Sequence, residues 1–173
     1  MSLLDDVASA EFLGSEFLTW LWYMEEQNEG CFELDGELGD VELWFDDRLT
    51  MASTALDDQE DSFKGGRPTN SVEARAALKL GKLVQSAKVR LIQGDQEWSC
   101  TLKASPLSMS GIKLPEMLSQ DLHAAFFERM MLLDHVDTLF KGLYRRFLSA
   151  RLGTEWDEVH LPALHAWVTR KEI

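Results

Sequence analysis

Apolar side chains recur every three or four positions through the last third of the chain: Leu122, Phe126, Met130, Leu133, Val136, Phe140, Leu143 and Phe147. This is the period of one helical face. It predicts a long amphipathic helix from about Gln120 to Leu152, closed by Gly153. A final short helix is expected near Pro162, a residue suited to a first helical turn. At the other end, Leu13, Phe17, Trp20, Leu21 and Met24 form a second stripe within Glu11 to Met24. Leu18 and Trp22 load another side of that segment, so the helix should be buried on more than one face, with Gly30 as its stop.

Between these helices the period changes to two. Val41, Leu43 and Phe45 alternate with Glu42 and Trp44, the pattern of a half-buried strand. Extended segments are expected at Cys31 to Leu34, Val41 to Phe45 and Arg48 to Thr54, with a turn at Asp46-Asp47. Residues from Asp57 to Asn70 read as a flexible loop, most tightly punctuated at Gly65-Gly66-Arg67-Pro68. A short helix should begin near Ser71, capped by Asn70 or Ser71, and end at Gly81. Lys82 to Gln93 and Gln96 to Ala104 read as two strands joined by a tight turn at Gly94-Asp95. In the first, Lys88 and Arg90 alternate with Val89 and Leu91; in the second, Glu97, Ser99, Thr101 and Lys103 alternate with Trp98, Cys100 and Leu102. Met109 to Leu114 adds an edge strand, ended by Pro115. The order helix, strands, helix, hairpin, long helix predicts an α+β class. It combines an antiparallel sheet with a buried N-terminal helix, a short central helix and a long C-terminal amphipathic helix, in one domain over residues 1–173.

Composition narrows what such a domain does. An apolar fraction of 45% with six Trp and nine Phe excludes disorder of the whole chain. No apolar run approaches the ~18 residues of a membrane span. Asp5 and Asp6 stand where a signal peptide carries Lys or Arg. Cys31 and Cys100 are too few and too distant for a disulfide framework, so a cytoplasmic setting is expected. Both cysteines fall in expected strands, where buried structural thiols are the usual outcome.

No catalytic constellation is recognisable. There is no G-x-S-x-G elbow, and neither cysteine has a histidine near it in sequence. His123 and His135 lie twelve residues apart on one helix, about three turns, too far to share a metal ion. Asp35, Glu37, Asp40 and Glu42 depart from calcium-loop spacing, and Gly65-Gly66 lacks the phosphate-loop pattern. The chain is therefore read as a non-enzyme with neither cofactor nor metal.

Charge is the remaining signal. The formal net charge of −13 is divided unevenly: residues 1–61 hold 18 acids and the single base Arg48, whereas residues 62–173 hold 12 acids and 16 bases. The acidic part fits either a solvated surface or a face that docks on a basic protein partner. In the more basic part, Arg75, Lys79 and Lys82 fall at i, i+4 and i+7, with Lys64 and Arg67 on the loop that feeds their helix. Arg145 and Arg146, with Arg151 beyond, form a second patch. Cations of this kind hold a phosphate backbone. Trp20, Trp22 and Trp44 have rings able to stack on bases, although their apolar surroundings place them in the core.

The order of pieces resembles a known family. Glu16-Phe17-Leu18-Thr19-Trp20-Leu21-Trp22 is followed by strands, then by Ser71-Val72-Glu73-Ala74-Arg75-Ala76-Ala77-Leu78-Lys79-Leu80-Gly81-Lys82-Leu83-Val84. A strand pair ending in Trp98 to Leu102 and the run Gly111-Ile112-Lys113-Leu114-Pro115 then precede the long helix. Over Glu11 to Leu148 this is similar to the C-terminal half of the bacterial recombination-associated RdgC family. The resemblance implies a non-enzymatic protein that binds double-stranded DNA without reading its sequence, is associated with recombination or the nucleoid, and forms dimers. It implies DNA contacts at Lys79 and Lys82. Two alternatives stand beside it: an acidic protein-interaction module that engages a basic partner through residues 1–61, and a metal-dependent nuclease.

Overall fold

In the computed structural model the backbone is described for residues 3–53 and 60–170, and side chains from Leu13 onward within those ranges. The class is α+β. Helix α1 (Leu3–Gln27) leads into strands β1 (Cys31–Leu34), β2 (Gly39–Ala52) and β3 (Asp61–Lys64). Helix α2 (Val72–Lys79), strands β4 (Leu83–Gln93), β5 (Gln96–Ala104) and β6 (Leu107–Lys113), and helices α3 (Leu122–Arg151) and α4 (Leu161–Thr169) follow. The six strands form one antiparallel sheet in the order β1-β2-β4-β5-β6, and β3 pairs with the part of β2 that β1 leaves open.

Alternation divides the sheet into two faces. Val41, Leu43 and Phe45 of β2, Val89 and Leu91 of β4, and Trp98, Cys100 and Leu102 of β5 are buried. They pack with Phe17, Leu18, Leu21 and Trp22 of α1 and with Val136, Leu139, Leu143 and Phe147 of α3 in one core. Thr19 ties α1 to the sheet: its hydroxyl donates to the Ser15 carbonyl and accepts from the amide of Val84, next to a register shift between β2 and β4. The side chains on the other face remain partly or fully exposed.

Four details depart from the sequence reading. Asp46-Asp47 is no turn; β2 runs through it with an irregularity between Phe45 and Leu49. The expected loop contains the short strand β3 at Asp61–Lys64, while its residues 57–59 lie outside the described residues. Cys31 is exposed, because it occupies the outward position of a short edge strand, whereas Cys100 is buried. The apolar stripe of α3 is covered only from Leu132 onward: Leu122, Phe126 and Met130, on that same stripe, are 86%, 59% and 51% exposed. Among the described residues, no helix is long and apolar enough to cross a membrane.

Candidate nucleic-acid interface

Four of the seven cations expected to touch DNA are engaged by the chain itself. Arg67 pairs with Glu25 at 3.4 Å and lies over the Trp44 ring at 5.3 Å. Arg75 pairs with Glu26 and faces the rings of Trp22 and Trp167. Lys82 pairs with Asp61. Arg146 donates to the Glu33 carbonyl at 2.6 Å and lies over Phe32. For the first three the physical reason is the charge asymmetry, since carboxylates of the acidic first part pack against the bases that follow; Arg146 meets a backbone carbonyl and a ring instead. Arg151, beyond the Arg145-Arg146 patch, repeats the pattern on Glu16 at 2.8 Å. Lys64, Lys79 and Arg145 remain exposed, on β3, α2 and α3 respectively. The three tryptophans offer no open ring either. Trp20 and Trp22 are buried in the core as expected; Trp44 is not, standing half-buried on the outward face of β2 with Arg67 over its ring.

Glu25 carries the main electrostatic perturbation. It is 5% exposed, and burial raises its carboxyl to about 7. The Phe45 amide and Arg67 pull in the opposite direction.

The open face of the sheet gathers cations that sequence spacing did not single out. Directly opposed residues of antiparallel strands share a face, and the register lays these out in rows. One row carries Ser62, Thr50, Ser86, Lys103 and Ser108; the next joins Lys88, Thr101 and Ser110; a third joins Trp44, Arg90, Ser99 and Lys113. Arg48 stands opposite Lys64 at the β3 side. Lys88 pairs with Asp46 and Asp47, and Arg90 with Glu97. Arg48, Lys64, Lys103 and Lys113 are exposed, and none has an ion-pair partner among the described residues. This face thus holds four cations with no ion-pair partner among the described residues, together with hydroxyls and, in the row beyond Trp44, the carboxylates of Glu42 and Glu97. Of the seven expected residues, Lys64 belongs to it and Arg67 borders it, over the Trp44 ring. The signal for the others was the outward alternation of Lys88-x-Arg90 and Ser99-x-Thr101-x-Lys103, which says which side they share but not that no helix covers it.

At the β3 end this face sinks into a cleft of about 200 Å³ whose polar lining is Arg48, Thr50, Ser62, Lys64, Ser86, Lys88 and Thr101. Metal chemistry has no comparable support: no group of three or more His, Cys, Asp or Glu side chains is placed to hold an ion among the described residues. Compared by sequence, the chain matches no protein-family model and no curated protein.

Proposed function

We propose that the protein binds the nucleic-acid backbone, double-stranded DNA foremost, through the open face of its sheet and without reading base sequence. The observation that carries this is the set Arg48, Lys64, Lys103 and Lys113, exposed and unpaired among the described residues of a chain whose formal charge is −13. On this face Lys88 and Arg90 meet Asp46, Asp47 and Glu97, whereas Arg48, Lys64, Lys103 and Lys113 have no ion-pair partner among the described residues. Hydroxyls between the cations supply neutral donors for phosphate oxygens. With no open aromatic ring among the candidate tryptophans, base stacking contributes little. The reading agrees with what the resemblance to the RdgC family implies, but moves the contacts from α2 to the sheet.

A gel-shift titration on unrelated duplexes at low salt tests it. Lys103→Ala/Lys113→Ala should weaken binding equally for all sequences and flatten the salt dependence, because each lost phosphate contact removes about one unit of slope. Lys79→Ala should leave binding unchanged. Equal loss from both variants, or absence of any shift at low salt, refutes the reading.

A second property rests on a separate observation. Met117, Leu118, Leu122, Phe126, Phe127, Met130 and Met131 are all exposed, with fractions between 42% and 88%. Seven large apolar side chains standing open on one segment and helical arm mark an interaction surface, since single soluble chains seldom leave so many together in water. The occupant we infer is a second copy of the chain, since one helical arm can pair with its own equivalent about a two-fold axis.

A further inference from the structure

The cleft at the β3 end of the open face has features that general backbone binding does not require. Arg48 and Lys64 are directly opposed across β2 and β3. Like charges in that relation destabilise a sheet, and here no carboxylate of the described residues separates them. Thr50, Ser62, Ser86 and Thr101 line the same hollow. Lys88, at its other wall, is already balanced by Asp46 at 3.7 Å and Asp47 at 3.3 Å. Two positive charges are thus left uncompensated around a concave, hydroxyl-lined space.

From this geometry we infer that the cleft is a site for a terminal phosphate monoester, such as the phosphorylated end of a nucleic-acid strand. The inference rests on the nucleic-acid reading above and deepens it. A monoester carries close to two negative charges near neutral pH and three terminal oxygens. It matches two free cations and a ring of hydroxyl donors. An internal diester brings one charge and two free oxygens, and must leave the hollow at both ends. The volume, about 200 Å³, lies below that of pockets that enclose drug-sized ligands, so it accommodates a phosphate with part of its sugar. Neither Arg67 nor Trp44, the stacked pair elsewhere on the chain, lines it.

The test compares one duplex with and without 5′-phosphates, with inorganic phosphate titrated separately by calorimetry. The phosphorylated duplex should bind several-fold more tightly. Arg48→Ala/Lys64→Ala should abolish both that preference and the phosphate heat. Ser62→Ala, exposed and remote from the core, should reduce the preference with unchanged thermal unfolding, which separates recognition from misfolding. Equal affinity for the two duplexes together with no phosphate heat overturns the terminal-phosphate site while leaving backbone binding intact. Phosphate heat lost in the double variant, with no duplex binding at all, overturns the nucleic-acid reading and leaves the phosphate site standing. Preference retained by Arg48→Ala/Lys64→Ala overturns the assignment to this cleft.

Discussion

The indole Nε1 of Trp98 donates to the backbone carbonyl of Leu132 at 3.1 Å. This bond stands where α3 meets the sheet: Leu132 is buried, and none of residues 122–131 is. The ring of Trp98 also lies 5.5 Å from that of His135, and His135 meets Gln93, whose amide reaches the Leu38 and Asp40 carbonyls. One indole thereby links β5, α3, β4 and the start of β2. The helix before this point is an arm of ten residues, roughly 15 Å long.

Substitutions on the two sides of Leu132 should separate stability from assembly. Leu132→Ala removes a buried side chain and should cost about 2–5 kcal/mol in urea unfolding. Phe127→Glu/Met131→Glu changes exposed positions and should leave unfolding within about 0.5 kcal/mol of the parent. Light scattering should show a dimer for the parent and a monomer for the charged double variant. A monomeric parent at tens of micromolar would exclude self-pairing through the arm.

The limits of the sequence reading show in this helix. Periodicity reports which side of a helix is apolar, and Leu122 and Val136 contribute to it identically. Whether a neighbour covers that side depends on how far the sheet extends, which no local pattern encodes. The same holds for the cations. Arg67, Arg75 and Lys82 meet carboxylates 42, 49 and 21 residues away, and their spacing on loop and helix gives no hint of those partners. By contrast Gly81, Gly94-Asp95 and the Ser71 cap act through adjacent backbone, and their elements end where expected; the Ser71 hydroxyl accepts from the Ala74 amide at 3.1 Å. Strand β3 escaped notice because four residues with the single apolar Phe63 establish no period.

The thiols should differ in reactivity. Cys31 is exposed, whereas Cys100 is buried and its thiol is pushed up to about 11 by that burial. The thiolate is the reactive form, so iodoacetamide at pH 8 should label the native protein once, at Cys31. Modification of both sites before unfolding would contradict the burial of Cys100.

Close approach makes Gly14 irreplaceable. A Cβ added there would collide with the Ala104 carbonyl oxygen, at the end of β5. Neither group is a flexible side-chain tip, so α1 would have to shift on the sheet. Gly14→Ala should therefore destabilise by about 1–3 kcal/mol despite its favourable helix propensity. A stabilised variant would show that α1 lies farther from β5.

Glu25 should give the folded protein a stability that falls as pH rises. Burial pushes its carboxyl up to about 7 in the folded chain, from the ordinary glutamate value of 4.5. Burial is the chief cause; proximity to Glu26 adds to it, while the Phe45 amide and Arg67 oppose it. The folded state accordingly holds this proton more tightly than the unfolded state. Below about pH 4.5 both are protonated, above about pH 7 neither is, and between them the folded state binds more proton. Stability from this group is thus greatest at the acidic end and is lost as pH rises through the window, by about 3 kcal/mol in all. Glu25→Gln keeps an acceptor for the Phe45 amide and carries no charge to desolvate. Urea unfolding at pH 5 and pH 8 should show the parent losing stability toward pH 8 and the variant losing markedly less. Parallel losses would mean that the Arg67 pair already offsets the burial of the charge.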